Sequence, residues 1–168
     1  MDYFALFEIP VQLKVDLSAL PRKYFELSKK FHPDYYINQS PAIQAEVLEK
    51  SALLNKAFRT FQKQDDTIKY VLQQKGLLEE EEKYELPPGF LMEVLEINEQ
   101  LMDLTELHIN RLSSRITELE REIYETIKKI VEYYQEGVTT TAELLQVKEY
   151  YYKKKYLDRI RQQLAGMA

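Results

Sequence analysis

The sequence predicts an all-α protein, and three features carry that prediction. Glycine occurs four times in 168 residues and tryptophan not at all, while Leu, Glu, Lys, Gln and Ile are abundant, a composition of helices rather than of turn-rich sheets. Apolar residues recur at spacings of three and four, as in Leu20, Tyr24, Leu27 and Phe31, which is the period of a helix with one buried face. Glycines and prolines fall between such stretches, where helices stop and start. At 45% hydrophobic residues the chain has enough apolar material for a packed core.

The elements follow in order. A short helix around Tyr3, Phe4 and Phe7 is led by Asp2 as N-cap and closed by Pro10. A longer helix starts from Asp16 or, better, Ser18, which leaves Pro21 in the first turn where its missing N–H costs least. Its apolar face is Leu20, Tyr24, Leu27 and Phe31; the opposite face carries Arg22, Lys23, Lys29 and Lys30. Pro33 disfavours helical dihedrals at His32, so the helix ends near Phe31 or His32. Helical pattern resumes at Ser40-Pro41, an N-cap followed by proline at the first helical position. Ile43, Val47, Leu54, Phe58 and Phe61 then mark a return helix, antiparallel because the connection is short. A fourth helix, capped by Asp65 or Asp66 and holding Ile68, Val71 and Leu72, stops at Gly76.

The stretch Gly76 to Gly89, GLLEEEEKYELPPG, has no apolar period and reads as the junction between two helical units, giving boundaries of 1–75, 76–89 and 90–168. The second unit predicts an antiparallel three-helix bundle. Phe90, Leu91, Val94, Leu95, Ile97, Leu101 and Leu104 mark its first helix. Leu112, Ile116, Leu119, Ile123, Ile127, Ile130 and Tyr134 mark a second that stops near Gly137. Leu144, Val147, Tyr151, Leu157, Ile160 and Leu164 mark the third. The regular seam of the second helix also fits a coiled-coil dimer, but a partner exists within the bundle, so a monomer is expected.

Composition excludes several kinds of function. With no cysteine there are no disulfides, thiolate metal sites or cysteine nucleophiles. The two histidines, His32 and His108, lack metal-ligand spacing, so no metal and no cofactor is expected. A net charge of -5 argues against nucleic acid as a partner. The charge is uneven: residues 1–75 carry 11 basic against 9 acidic side chains and the remainder 12 against 19. No apolar run is long enough for a signal peptide or a membrane span, so a soluble, cytoplasmic location without membrane attachment is the expectation.

The tripeptide His32-Pro33-Asp34 is the feature with most chemical content. Alone it is an ordinary helix stop. Held at the tip of a helical hairpin, with Lys29-Lys30 before it and an apolar helix after it, it resembles a J-domain, the module that stimulates the ATPase of DnaK-type chaperones. That resemblance covers Asp2 to about Lys75. The opening MDYFALF and the segment FLMEVLEINEQL, Phe90 to Leu101, further resemble the HscB family, J-domain co-chaperones of iron-sulfur cluster assembly. The Gly/Phe-rich linker, cysteine-rich zinc region and β-rich domains of general DnaJ proteins are absent from the sequence, as is the N-terminal cysteine-rich region of some family members.

The resemblance implies roles for particular residues. Asp34 engages an arginine of the chaperone, whose fork a carboxylate meets with two charge-assisted hydrogen bonds. Pro33 fixes the loop and His32 orients it, while Arg22, Lys23, Lys29 and Lys30 meet an acidic surface and steer association. In the second unit, Leu91, Met92 and Leu95 cannot share the buried side of Val94 and Ile97, so some must face outward. Ringed by Glu96, Glu99 and Asp103, they form a candidate protein-binding surface. The resemblance makes the partner an IscU-type iron-sulfur scaffold and adds Tyr156 on the last helix. Either a dedicated HscA-type or a general DnaK-type chaperone suits the basic face. Three other readings stand beside this one: a J-domain protein for a different client, a structural helical adaptor, and an enzyme using His32 and Asp34 as an acid-base pair. The last would need a concave site, and a hairpin tip is convex, so no enzymatic activity is expected.

Overall fold

The computed structural model describes residues 2–102 and 105–167, and every regular element among them is helical. Eight α-helices run α1 (Tyr3–Phe7), α2 (Leu20–Lys30), α3 (Pro41–Phe61), α4 (Gln64–Gln74), α5 (Pro88–Leu101), α6 (Glu106–Glu125), α7 (Lys128–Glu132) and α8 (Thr141–Met167). The all-α architecture is therefore as the sequence predicts. Two compact units divide the chain, Met1–Val71 and Leu72–Ala168, with the division falling inside α4.

The first unit is a helical hairpin, α2 and α3, bridged by α1. Asp2 caps α1 by accepting from the Ala5 amide at 2.8 Å, and Ser40 caps α3 by accepting from the Ile43 amide at 3.3 Å. The cap expected at α2 is absent. The helix begins at Leu20 with no side-chain cap, because the amide and hydroxyl of Ser18 both turn back to Asp16 Oδ1, at 2.9 and 2.6 Å. Asp65 and Asp66 lie within the first turn of α4, where carboxylates favour the positive end of the helix dipole.

The hairpin is antiparallel. Tyr24 of α2 stacks on Phe58 of α3 at 4.1 Å and its hydroxyl donates to Asn55 Oδ1 at 2.6 Å, while Lys50 reaches the ring of Phe31 at 5.4 Å. Buried Phe4 and Phe7 meet Phe61 at 4.9 and 5.3 Å, and Tyr3 stacks on Tyr70 at 4.3 Å while its amide donates to the Tyr70 hydroxyl. Three aromatic residues of α1, Tyr3, Phe4 and Phe7, thus tie the base of the hairpin to α3 and α4. Ile43, expected on the core face of α3, is 40% exposed; burial on α3 begins one turn later, at Val47.

In the second unit α5, α6 and α8 form the three-helix bundle. Phe90, Val94, Ile97, Leu112, Ile116, Leu119, Leu144, Val147, Leu157, Ile160 and Leu164 are all buried. Arg161 of α8 clamps α6, donating from Nε and Nη2 to Glu120 Oε1 at 3.0 and 2.8 Å and from Nη2 to Thr117 Oγ1 at 3.0 Å. Thr140 and Glu143 form a reciprocal capping box at the start of α8.

The second helix of the bundle is not continuous as its periodicity suggests. It breaks at Thr126-Ile127, where Thr126 donates its hydroxyl to the Ile123 carbonyl at 2.7 Å and Ile127 bonds back to Tyr124 rather than to Ile123. Restarting as α7 rotates the face, so Val131 is buried and Ile130 only half-buried.

The acidic stretch after Gly76 lies along α8 as a strap. Leu78 is buried, Glu82 pairs with Lys148 at 2.6 Å, and Tyr84 stacks on Tyr152 at 4.6 Å. The Lys148 ammonium, through its hydrogen bond, holds the Glu82 carboxyl below its ordinary value of 4.5. A depressed folded-state value means this pair contributes fully above the unfolded value and is lost as pH falls through the folded one. Amide exchange in the strap is therefore expected to accelerate, beyond its intrinsic pH dependence, as pH drops through the carboxylate range. Glu82→Gln should show that faster exchange already at neutral pH.

Candidate interaction surfaces

The sequence leads to two surfaces, one on each unit. The first is the hairpin tip. Pro33 starts a 3₁₀ turn, Pro33–Tyr36, inside the loop that the periodicity leaves featureless. His32 caps it: its Nδ1 accepts from the Asp34 amide at 3.2 Å. With Nδ1 used as acceptor, the neutral imidazole carries its proton on Nε2, available to a partner as a donor. The tip is braced from both helices. The Tyr36 hydroxyl donates to the Lys30 carbonyl at 2.8 Å, satisfying one of the acceptors left open at the end of α2. Gln44 of α3 donates to the carbonyls of Ile37 and Gln39 at 3.1 and 2.9 Å. The Asp34 side chain remains 85% exposed, with an oxygen 3.6 Å from His32 Nδ1. A carboxylate is thus presented to solvent on a backbone that has little freedom to move.

The four basic residues of α2 differ in what they already hold. Lys23 binds Glu8 at 2.9 Å, and Glu8 occupies a left-handed position that ends α1. Arg22 stands 3.8 Å from Glu26, both well exposed. Lys29 and Lys30, in the last turn of α2 where the helix dipole favours cations, place their ammonium groups over Phe25 and Phe31 at 4.6 and 5.3 Å. Of the two, Lys29 lines the same cleft as His32 and Asp34.

Two aromatic residues that periodicity did not single out belong to this surface. Phe25 and Tyr35, with Ser28, Lys29, His32 and Asp34, line a shallow cleft of ≈ 460 Å³. The signal was present in the sequence: Phe25 falls outside the apolar stripe of α2, and an aromatic off the stripe has to face water or a partner.

The second surface is on α5. Phe90, Val94 and Ile97 face the bundle, while Leu91, Met92 and Leu95 are 43%, 62% and 51% exposed. Spacings of three and four bring Met92, Leu95, Glu96 and Glu99 onto one outer strip, and Glu96 and Glu99 are exposed as well. Met102, just past the helix, extends the apolar strip. Asp103 lies outside the described residues. Tyr156 is half-buried on α8, its ring edge-on to Phe90 at 6.5 Å and its hydroxyl 3.5 Å from Asn98 Nδ2, so it meets α5 through buried Phe90 and half-buried Asn98 rather than through the outer strip.

Among the described residues no group of three or more His, Asp or Glu side chains gathers in the way a metal ion requires, and no helix is long and apolar enough to cross a membrane.

A braced His-Pro-Asp turn between two antiparallel helices, followed by a three-helix unit with an outward apolar strip, defines a J-domain protein with a helical C-terminal domain. Residues 86–165 match the family model described as the HSCB C-terminal oligomerisation domain. The fold is similar to the crystal structure of human co-chaperone protein HscB, with a TM-score of 0.80 and 24% identity over 98% of this chain and 81% of that one. It is also similar to the chaperone HscB from Vibrio cholerae, with a TM-score of 0.66 and 25% identity over 98% of this chain and 99% of that one. Residues 86–165 thus carry a C-terminal domain of the HSCB type, and the chain shares the fold of the HscB co-chaperones.

Proposed function

We propose that the chain is a co-chaperone with two working surfaces: the first unit stimulates ATP hydrolysis by a DnaK- or HscA-type chaperone, and the second delivers an IscU-type iron-sulfur scaffold to it. The observation that carries this reading is Asp34, an exposed carboxylate on a turn held by His32, Tyr36 and Gln44. Among the described residues no hydrogen bond engages this carboxylate, whose nearest charged neighbour is His32 Nδ1 at 3.6 Å, and the bracing means a partner's arginine pays little ordering cost in that turn. Lys29 and Lys30, with Arg22 and Lys23 farther along α2, draw an acidic chaperone surface toward it.

The outer strip of α5 supplies the other half. Leu91, Met92 and Leu95 offer apolar area to a partner, Glu96 and Glu99 select one with basic residues at its rim, and Tyr156 is assigned to the same partner, as is Asp103, which lies outside the described residues. Joining the two sites in one chain raises the effective concentration of the scaffold at the chaperone without any new contact. No bond is made or broken by this protein; it works in the cytoplasm, as a monomer, on two protein partners.

Separate titrations read each surface. The chain is expected to bind an IscU-type scaffold by calorimetry, and to bind the ATP state of a DnaK-type chaperone through contacts that weaken with added salt. Scaffold binding without any chaperone interaction would reduce the reading to a helical adaptor. The opposite pattern would leave a J-domain protein that serves another client.

A further inference from the structure

The roles given to Asp34 and the α2 lysines leave the aromatic walls beside them without one. Phe25 is 60% and Tyr35 72% exposed, although the same unit buries Phe4, Phe7 and Phe61 almost completely. Each exposed ring is held by a residue of the cleft itself: Phe25 by the Lys29 ammonium at 4.6 Å, and Tyr35 by the edge of His32 at 6.1 Å. The two rings are walls of a shallow, open cleft of ≈ 460 Å³ on the surface of the tip.

The charges around it narrow the occupant. Asp34 draws a basic group and Lys29 an acidic one, while the faces of Phe25 and Tyr35 between them offer apolar area that suits a neutral side chain. A segment that brings a guanidinium to Asp34 and lays a neutral aliphatic side chain beside it satisfies the whole lining. We infer that the cleft between Phe25 and Tyr35 receives an aliphatic side chain from the same chaperone segment whose arginine meets Asp34, and that Phe25 is the apolar anchor of that contact. This rests on the proposed role of Asp34 and adds a second kind of interaction to it. The arginine–Asp34 contact triggers the partner, and the apolar contact sets how tightly the partner is held. A few residues seated in packed, desolvated contacts carry most of the binding energy at protein interfaces.

The test is a titration of the full-length chain into single-turnover ATP hydrolysis by the DnaK-type chaperone, at low and high salt, with thermal melts showing that each variant is folded. Phe25→Ala is expected to raise the half-maximal concentration about tenfold, leave the plateau rate unchanged, and keep that tenfold ratio at high salt. Phe25→Leu should retain most of the affinity, and the effect of Lys29→Ala should shrink as salt rises. An unchanged half-maximal concentration for Phe25→Ala, alongside loss of stimulation for Asp34→Asn, would overturn the inference and leave the co-chaperone reading intact. So would a lowered plateau, or an effect of Phe25→Ala that disappears at high salt, since either would trace it to the positioning of Lys29. Full stimulation by Asp34→Asn would remove the co-chaperone reading and the inference together.

Discussion

Asp34→Asn is expected to abolish stimulation of the chaperone ATPase while the chain stays folded and still binds its scaffold. Asparagine keeps one acceptor oxygen and replaces the other with an NH₂ donor, which faces the donors of a guanidinium. The substitution therefore loses one charge-assisted hydrogen bond, sets donor against donor at the second position, and removes the ionic attraction. At roughly 1.5–3 kcal/mol for each hydrogen bond to a charged group, and about 1.4 kcal/mol per factor of ten, the loss should reach a hundredfold or more. Stability should change little. The side chain is 85% exposed, and the backbone amide that caps the turn through His32 is unaltered. Single-turnover hydrolysis and a thermal melt, made on the same preparation, check both halves of this prediction.

The second large effect is expected from Leu91→Ala, Met92→Ala and Leu95→Ala combined. Each side chain is about half exposed, so truncation leaves little cavity in the bundle and the cost falls on binding. Burying a side chain of this kind is worth about 1.5–3 kcal/mol. Losing even part of that at three positions should weaken scaffold binding by a hundredfold or more, with ATPase stimulation in the absence of scaffold unchanged. Calorimetry with the scaffold and the hydrolysis assay without it separate the two. Normal scaffold affinity in the triple variant would move the binding surface off α5.

The tip and the outer strip were legible in the sequence for different reasons. At the tip, local rules suffice: a residue before proline leaves the helix, Ser40-Pro41 begins the next one, and the short connection makes the helices antiparallel. On α5 the reading came from excess, since more apolar residues were present than one face can bury. What was not legible depended on side chains competing for nearby backbone and on register. Ser18 looks like a cap until Asp16 takes its amide and hydroxyl. The seam from Leu112 to Tyr134 looks continuous, yet Thr126 turns its hydroxyl onto the Ile123 carbonyl and the helix restarts with Val131 inward. The strap after Gly76 reads as a junction because its contacts with Lys148 and Tyr152 are far away in sequence. The Phe25–Tyr35 cleft needed the 3₁₀ turn to bring Tyr35 beside α2, and no pattern of spacing announces that.

The central claim is that one chain couples a scaffold to an ATPase through two separate surfaces. The measurement that tests it most directly is single-turnover ATP hydrolysis by the DnaK- or HscA-type chaperone with this chain alone, the scaffold alone, and both together. The account predicts that the chain alone accelerates hydrolysis and that chain and scaffold together exceed the product of their separate accelerations. Hydrolysis that stays at its basal rate with the chain present, or a combined rate no greater than that product, would contradict it.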